Sequence, residues 1–250
     1  MALRPRLAVV IPARNEAQRL PLLLADLARA PQLIAECIVV DGGSSDRTAR
    51  CAAQAGARVL HSSPGRGQQL RHGIAASSAP WLWLLHADGR LPPHWPACVT
   101  AVLTQSQPPA MHCAWYGELR VECSALQYRV LERLVSLRSG LGQRPYGDQG
   151  LLIPRSSYEA SGGLLPLPLM EDLDFAQRFA RQGRFVSLGM AMGVDGRRWR
   201  RLGLVGTTWA NMALRRAWRR GVSAELLAQR YGEYQKAQRR CSGSSSQPWA

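Results

Sequence analysis

Lysine is nearly missing from this chain. Lys and Arg together number 32, and all but Lys236 are arginine. Acids are scarce too: 17 Asp and Glu leave a formal net charge of +15 and a pI near 10.8. Guanidinium groups suit bidentate phosphate contacts. The balance therefore suggests an anionic partner: a nucleotide, a phospholipid, a lipid-linked phosphate or nucleic acid. GC-rich coding also replaces lysine by arginine, and that reading needs no partner. The six cysteines include no C-x-x-C pair and no Cys/His spacing of a zinc finger. They read as reduced thiols of a cytosolic protein. No segment reaches the roughly 18 apolar residues of a membrane span. The run Leu7–Ala13 is too short for a signal h-region. The chain thus reads as soluble or peripheral, cytoplasmic or lying against the inner face of the membrane. There is no internal repeat, no Walker A loop, and no G-x-G-x-x-G after any strand. No recognition-helix or RNP signature accompanies the charge, so no specific nucleic-acid partner is expected.

What is present is a regular alternation. Hydrophobic residues make up 46% of 250, enough for a sizeable core. "LAVVIPA" (Leu7–Ala13), "CIVVDGG" (Cys37–Gly43), "ARVLH" and "WLWLLHA" are short apolar runs. Helical segments separate them: about 18–30, then one that starts at the capping residues Ser44, Ser45 and Asp46, then one opening at "GRGQQ". Strands that are apolar throughout and separated by helices predict an α/β fold. Its central sheet is mostly parallel, with helices on both faces. In such sheets ligands bind beyond the carboxyl ends of the strands. Those ends carry Arg14, Asn15 and Glu16, then Asp41, then Asp88.

The second half is less regular. "AWYGELRVE" reads as a strand, 124–139 as a helix, and "GDQG" as a turn before a short strand. "MEDLDFAQRFARQGR" opens a helix with three acids, which suit the helix dipole. Residues 204–220 form a basic C-terminal helix with Trp209 and Met212 on an apolar stripe. That helix suits either core docking or peripheral contact with an anionic membrane. The last residues, 241–250, read as a disordered tail.

The ordered set "VVIPARNEAQRL", "IVVDGGSSDRT", "GRGQQLRHGIAAS" and "WLWLLHADGRLP" resembles the N-terminal half of family 2 glycosyltransferases, enzymes of the GT-A fold. "PYGDQGLLIPR", "LPLMEDLDFAQRFARQGR" and "RRW" are similar to a bacterial subgroup of the radical-SAM/selenodomain-associated transferase 2 type. The resemblance covers about residues 6–235. It implies one GT-A domain over 1–240, with a nucleotide-binding half (about 1–105) and an acceptor half (about 106–240). It also implies an inverting, metal-dependent transfer from a nucleoside-diphosphate sugar, a UDP-sugar first among them. The acceptor is a hydroxyl on a lipid-linked or small molecule.

On the resemblance, Pro12, Ala13, Asn15, Glu16, Asp41, Arg66, Gln69 and Ala87 meet the nucleotide and donor. The family's D-x-D reads His86-Ala87-Asp88 here. Asp88 is then the carboxylate for Mg²⁺ or Mn²⁺, cations that prefer oxygen ligands and substrate phosphates. His86 is either a further ligand or a hydrogen-bonding group. Asp172 matches the general base that removes the acceptor's proton. Asp148, Gln149, Glu171, Arg198 and Trp199 are candidates for contacts with the acceptor or diphosphate. Two positions depart from the pattern: Arg71 replaces an Asn, and Asp195 replaces the Gln of Q-x-x-R-W. Competing readings are a nucleotidyltransferase, which would usually carry a Gly-rich N-terminal loop, an inactive nucleotide-sugar binder, and a basic nucleic-acid-binding protein.

Overall fold

The computed structural model describes residues 6–104, 112–123, 125–142, 145–196 and 204–231. Strand β1 (Leu7–Ala13) is buried along its whole length. Side chains on a strand alternate between faces. Leu7, Val9, Ile11 and Ala13 accordingly pack into one core, and Ala8 and Val10 into the other. The first core rests on helices α1 (Leu20–Leu27) and α4 (Trp95–Leu103), the second on α3 (Arg66–Ala75) and α7 (Glu171–Phe179). Fully burying each Val, Leu or Ile contributes roughly 1.5–3 kcal/mol. A sheet covered on both faces is what the unbroken apolar runs predict.

Strands β2 (Ile34–Asp41), β3 (Arg58–His61), β4 (Trp81–Leu84), β5 (Gly89–Arg90), β6 (His112–Val121), β7 (Leu151–Pro154) and β8 (Gly183–Val194) complete the sheet. Its order is β3-β2-β1-β4-β7-β6-β8-β5. The pairs β3/β2, β2/β1, β1/β4 and β6/β8 are parallel, and β4/β7, β7/β6 and β8/β5 antiparallel. The sheet is therefore parallel through its first half and mixed beyond β4. β2 starts three residues earlier than expected and stops at Asp41, because Gly42 and Gly43 turn the chain away. α1 is shorter than the expected 18–30. At α2 (Thr48–Gln54) Arg47 is the N-cap and bears no side-chain cap bond; Asp46 just before it accepts from the Thr48 amide through Oδ1 at 2.9 Å, while Ser44 bonds to Asp41 instead. Helices α5 (Leu126–Gly140), α6 (Arg155–Ala160), α8 (Leu204–Arg219) and α9 (224–231) complete the described chain. No described helix is long and apolar enough to cross a membrane.

Topology alone positions the site. The parallel register Ala13↔Asp41 and Asp41↔His61 brings the ends of β1, β2 and β3 to one edge, and β4 ends there as well. Antiparallel pairing of Leu84 with Leu151 then places the start of β7 beside the end of β4. The turn Gly147–Gln149, just before β7, is thereby carried to His86.

Candidate active site

The loops after β1 and β2 hold one another. Asn15 adopts a left-handed backbone (φ 56°). Its Oδ1 accepts from the Ser45 amide at 2.8 Å, and its own amide donates to Ser44 Oγ at 2.9 Å. The Glu16 amide donates to Thr48 Oγ1 at 2.8 Å. Asp41, 3% exposed, accepts from the Ser44 hydroxyl at 2.5 Å and from the Ser44 amide at 3.1 Å. Gln69, 4% exposed, donates to the carbonyls of Ala13 (3.0 Å) and Val40 (2.7 Å). The carboxamides of Asn15 and Gln69, expected to face the nucleotide, thus also hold the loops and strand ends together, and Gln69 still lines the smaller cleft. Gln69 also presses against Gly42, where any Cβ would come within 2.9 Å of its carboxamide.

Arg66, the first residue of α3, joins the two halves. Its Nε donates to Glu171 Oε1, its Nη2 to Asp172 Oδ2 at 3.2 Å, and its Nη1 lies 3.3 Å from His86 Nε2. Burial acts against the cation, but Asp172 and Glu171 outweigh it and hold Arg66 charged. Burial, then the Arg66 charge, lowers the His86 pKa, so the imidazole is neutral near pH 7.

The two neighbouring acids at the start of α7 diverge. Glu171 is 1% exposed, and burial raises its pKa despite Arg66. For Asp172 burial acts upward too, but Arg66 and the Gly147 amide hold its pKa below the usual value. The Gly147 amide donates to Asp172 Oδ2 at 3.0 Å, and the Leu173 amide to Oδ1 at 2.7 Å. Asp172 is therefore ionised at neutral pH. Glu171 is packed against Gly67, where a Cβ would lie 3.0 Å from Glu171 Cβ, and it also borders the larger cleft next to Asp172.

Two clefts meet here. One of about 500 Å³ lies against Pro12, Ala13, Glu16 and Ala87. The other, about 1290 Å³ and open to solvent, is bounded by Asp148, Asp172, Asn211, Arg215 and Tyr231 among others. Arg66, His86 and Asp88 line both. Asp148 presents an Oδ1 that is buried without a hydrogen-bond partner. Gln149, expected beside it at the acceptor, is fully buried. Its Oε1 accepts from Ser139 Oγ (2.9 Å), Arg138 (3.1 Å) and the Tyr146 amide (3.1 Å), and its Nε2 donates to the Gly117 carbonyl (3.1 Å). It shapes the turn and has no polar atom left for a ligand. Arg198 and Trp199 lie outside the described residues.

Sequence reasoning missed Tyr146, Asn211, Arg215 and Tyr231. Tyr146 is stacked under Arg138, with the guanidinium carbon 3.6 Å from the ring centroid, and Arg215 stands at 5.6 Å. The aromatic next to "GDQG" was the available signal. Among the described residues no group of three or more His, Cys, Asp or Glu could hold a metal ion. A closed, protein-only site therefore does not fit. A strand-end carboxylate facing both clefts does fit a hard cation of the Mg²⁺ kind, which keeps waters and takes substrate phosphates.

Residues 8–108 match the model of the family described as glycosyl transferase family 2. The 4,4'-diaponeurosporenoate glycosyltransferase of Staphylococcus haemolyticus is 51% identical over 55 residues, 22% of this chain and 14% of that protein. An uncharacterized glycosyltransferase of Mycobacterium tuberculosis is 36% identical over 84 residues, 33% of this chain and 37% of that one. The matches thus span less than two fifths of these relatives' length. Among solved structures, glucosyl-3-phosphoglycerate synthase from Mycobacterium tuberculosis, in complex with Mn²⁺, UDP and glucosyl-3-phosphoglycerate, superposes with a TM-score of 0.57 at 21% identity. That match covers 76% of this chain and 71% of the synthase. The same enzyme with Mn²⁺ and UDP-glucose gives 0.57 at 21%, covering 76% and 70%. The chain carries a glycosyl transferase family 2 segment over residues 8–108, on the mixed α/β fold of GT-A glycosyltransferases.

Proposed function

We propose that this protein is an inverting, metal-dependent glycosyltransferase that moves a sugar from a UDP-sugar to a hydroxyl acceptor within one domain over residues 1–240. The observation that carries this is the meeting of two clefts at Arg66, His86 and Asp88. The smaller cleft takes the nucleotide, between Pro12–Ala13, Glu16, Ala87 and the Asp41 strand end. The larger one takes the acceptor, lipid-linked or small, beside Asp148 and Asp172. The sugar–phosphate bond then lies where the clefts join. The solved relatives named for UDP, UDP-glucose and Mn²⁺ support the donor and cation classes.

Asp88 would hold Mg²⁺ or Mn²⁺, with His86 beside it as ligand or hydrogen-bonding group. The bound cation would supply positive charge against the departing diphosphate. Arg66 supplies a second, fixed cation on the same side. Asp172 is ionised and opens to the acceptor cleft, so it can take the hydroxyl proton as the oxygen attacks the anomeric carbon. Glu171 holds Arg66 in line. A single base facing the leaving group implies one displacement and inversion.

The test is UDP release from a panel of UDP-sugars with Mn²⁺ and Mg²⁺. Asp172→Ala should lower turnover by about 10²–10⁴, the usual contribution of a positioned base. Asp88→Ala should abolish the metal requirement together with the activity. Unchanged turnover in both variants would sink the site assignment. Release of pyrophosphate instead of UDP would make the protein a nucleotidyltransferase. UDP binding without turnover on any donor would leave only a binder.

A further inference from the structure

Helix α5 is built inside out. Its inner face buries Tyr128, Glu132, Val135 and Ser139. Glu132 is engaged there by Arg129 at 2.6 Å and by the Val121 amide at 2.8 Å. Its outer face carries Leu126, Val130, Leu134, Leu137 and Leu141, each between 53% and 84% exposed. Spacings of four, four, three and four put all five on one stripe. Single exposed aliphatics are ordinary, but a contiguous row marks a contact surface.

The charge around the stripe indicates what it contacts. The exposed residues between the aliphatics include Gln127, Arg133 and Ser136, and the sole acid of the helix, Glu132, points inward. α8 repeats the composition: Trp209 and Met212 are 65% and 44% exposed, Arg216 and Arg219 are exposed, and the helix has no acid. Both helices reach Tyr146, through Arg138 and Arg215, and Tyr146 lines the larger cleft. A second copy of the chain fits poorly. A two-fold contact would set Arg133 near its own equivalent with no acid on that face to offset it. An apolar row edged by arginine, on a chain of +15, is complementary to anionic headgroups above acyl chains.

We propose that the outer face of α5 docks on an anionic lipid bilayer and holds the mouth of the larger cleft at the membrane surface. This goes beyond the transferase reading of the cleft and needs no turnover to be measured.

The full chain is spun with vesicles of phosphatidylcholine alone or mixed with phosphatidylglycerol. Wild type should sediment with the mixed vesicles and stay in solution with phosphatidylcholine alone. Leu134→Glu/Leu137→Glu should bind the mixed vesicles about tenfold or more weakly, since apolar burial and anionic attraction are both reduced. Leu134→Ser/Leu137→Ser, which adds no charge, should be intermediate. Both sites are more than half exposed, so unchanged melting curves should accompany the loss. Wild type remaining in solution with both vesicles overturns the proposal. So does a Glu pair that binds like wild type, or a wild-type dimer by light scattering that the Glu pair splits. UDP release from soluble donors is followed in parallel, so loss of vesicle binding and loss of transferase activity are told apart.

Discussion

Asp26→Ala tests what holds the turn that presents Asp88. Asp26 lies on α1 and is 1% exposed. Its Oδ2 accepts from Arg90 Nε at 2.7 Å and from the Leu91 amide at 3.0 Å, and its Oδ1 from Arg90 Nη2 at 3.2 Å. Arg90 and Leu91 follow Asp88 by two and three positions, so a single carboxylate grips the strand that leaves the site. The hydrogen bond to Asp26 is the chief reason the Arg90 pKa is raised. Alanine removes all three bonds. The Leu91 amide, in a residue 3% exposed, is left without its acceptor, at roughly 1–3 kcal/mol. Breaking a fully buried ion pair costs about 3–5 kcal/mol. The Arg90 side chain is 33% exposed and can turn to water, which puts the whole change near the low end, about 3–4 kcal/mol. For a chain of this length that is a fall in Tm of roughly 6–16 °C. Asp26→Asn keeps one acceptor oxygen and should lose about half as much. Urea midpoints and thermal melts read both variants. A loss below about 1 kcal/mol in Asp26→Ala would refute the clamp.

Gly73→Ala should destabilise by about 1–3 kcal/mol through overpacking, because its Cβ would lie 2.4 Å from Val10 Cγ1 and 2.9 Å from Val40 Cγ2. An unchanged urea midpoint would contradict the close approach of α3 to the sheet. Gln149→Leu leaves the Gly117 carbonyl and the Tyr146 amide without partners and should cost roughly 2–4 kcal/mol in the same assay. A neutral result would show that the turn before β7 holds its shape without that side chain. Burial pushes the Cys37 thiol up from 9.0 to about 11. The unfolded thiol therefore ionises first as pH rises. The stability from this group is complete below pH 9.0 and is lost as pH climbs through about 11. Comparing urea midpoints of wild type and Cys37→Ala across that window should show a steeper alkaline fall in wild type, and parallel curves would refute the burial effect.

The strands of the first half were legible because a strand buried on both faces needs nothing but apolar residues, and a turn must follow it. The edge where they end was legible for the same reason: the polar groups begin where the apolar run stops. What those groups do there was not. Asn15 and Gln69 stand at the expected edge, yet a carboxamide both donates and accepts. It can pair with a strand-end carbonyl or a loop amide as well as with a base, and the sequence pattern is the same in either case. Gln149 shows the limit in stronger form. Its neighbour Asp148 borders the open cleft while its own side chain is enclosed, and adjacent positions in a tight turn give no periodicity from which to choose between them.

The Arg66 junction was illegible for a different reason. Its partners stand 20, 105 and 106 positions away, so its geometry exists only once α3, β4 and α7 are packed. The stripe on α5 was hidden by symmetry. A row of leucines at helical spacing shows that one face of the helix is apolar, but not that the opposite face is the buried one. Glu132 and Ser139 go inward because Arg129 and Gln149 satisfy them there, and no local pattern encodes those pairings. The "MEDLD" acids lie between these extremes. Neighbouring residues on a helix point about 100° apart, so the spacing alone says that Glu171 and Asp172 cannot serve one hydroxyl together. Gly67 leaves room for Glu171 to pack against α3, and both acids border the larger cleft, so what separates them is electrostatic: Arg66 and the Gly147 amide hold the Asp172 pKa down while burial pushes that of Glu171 up.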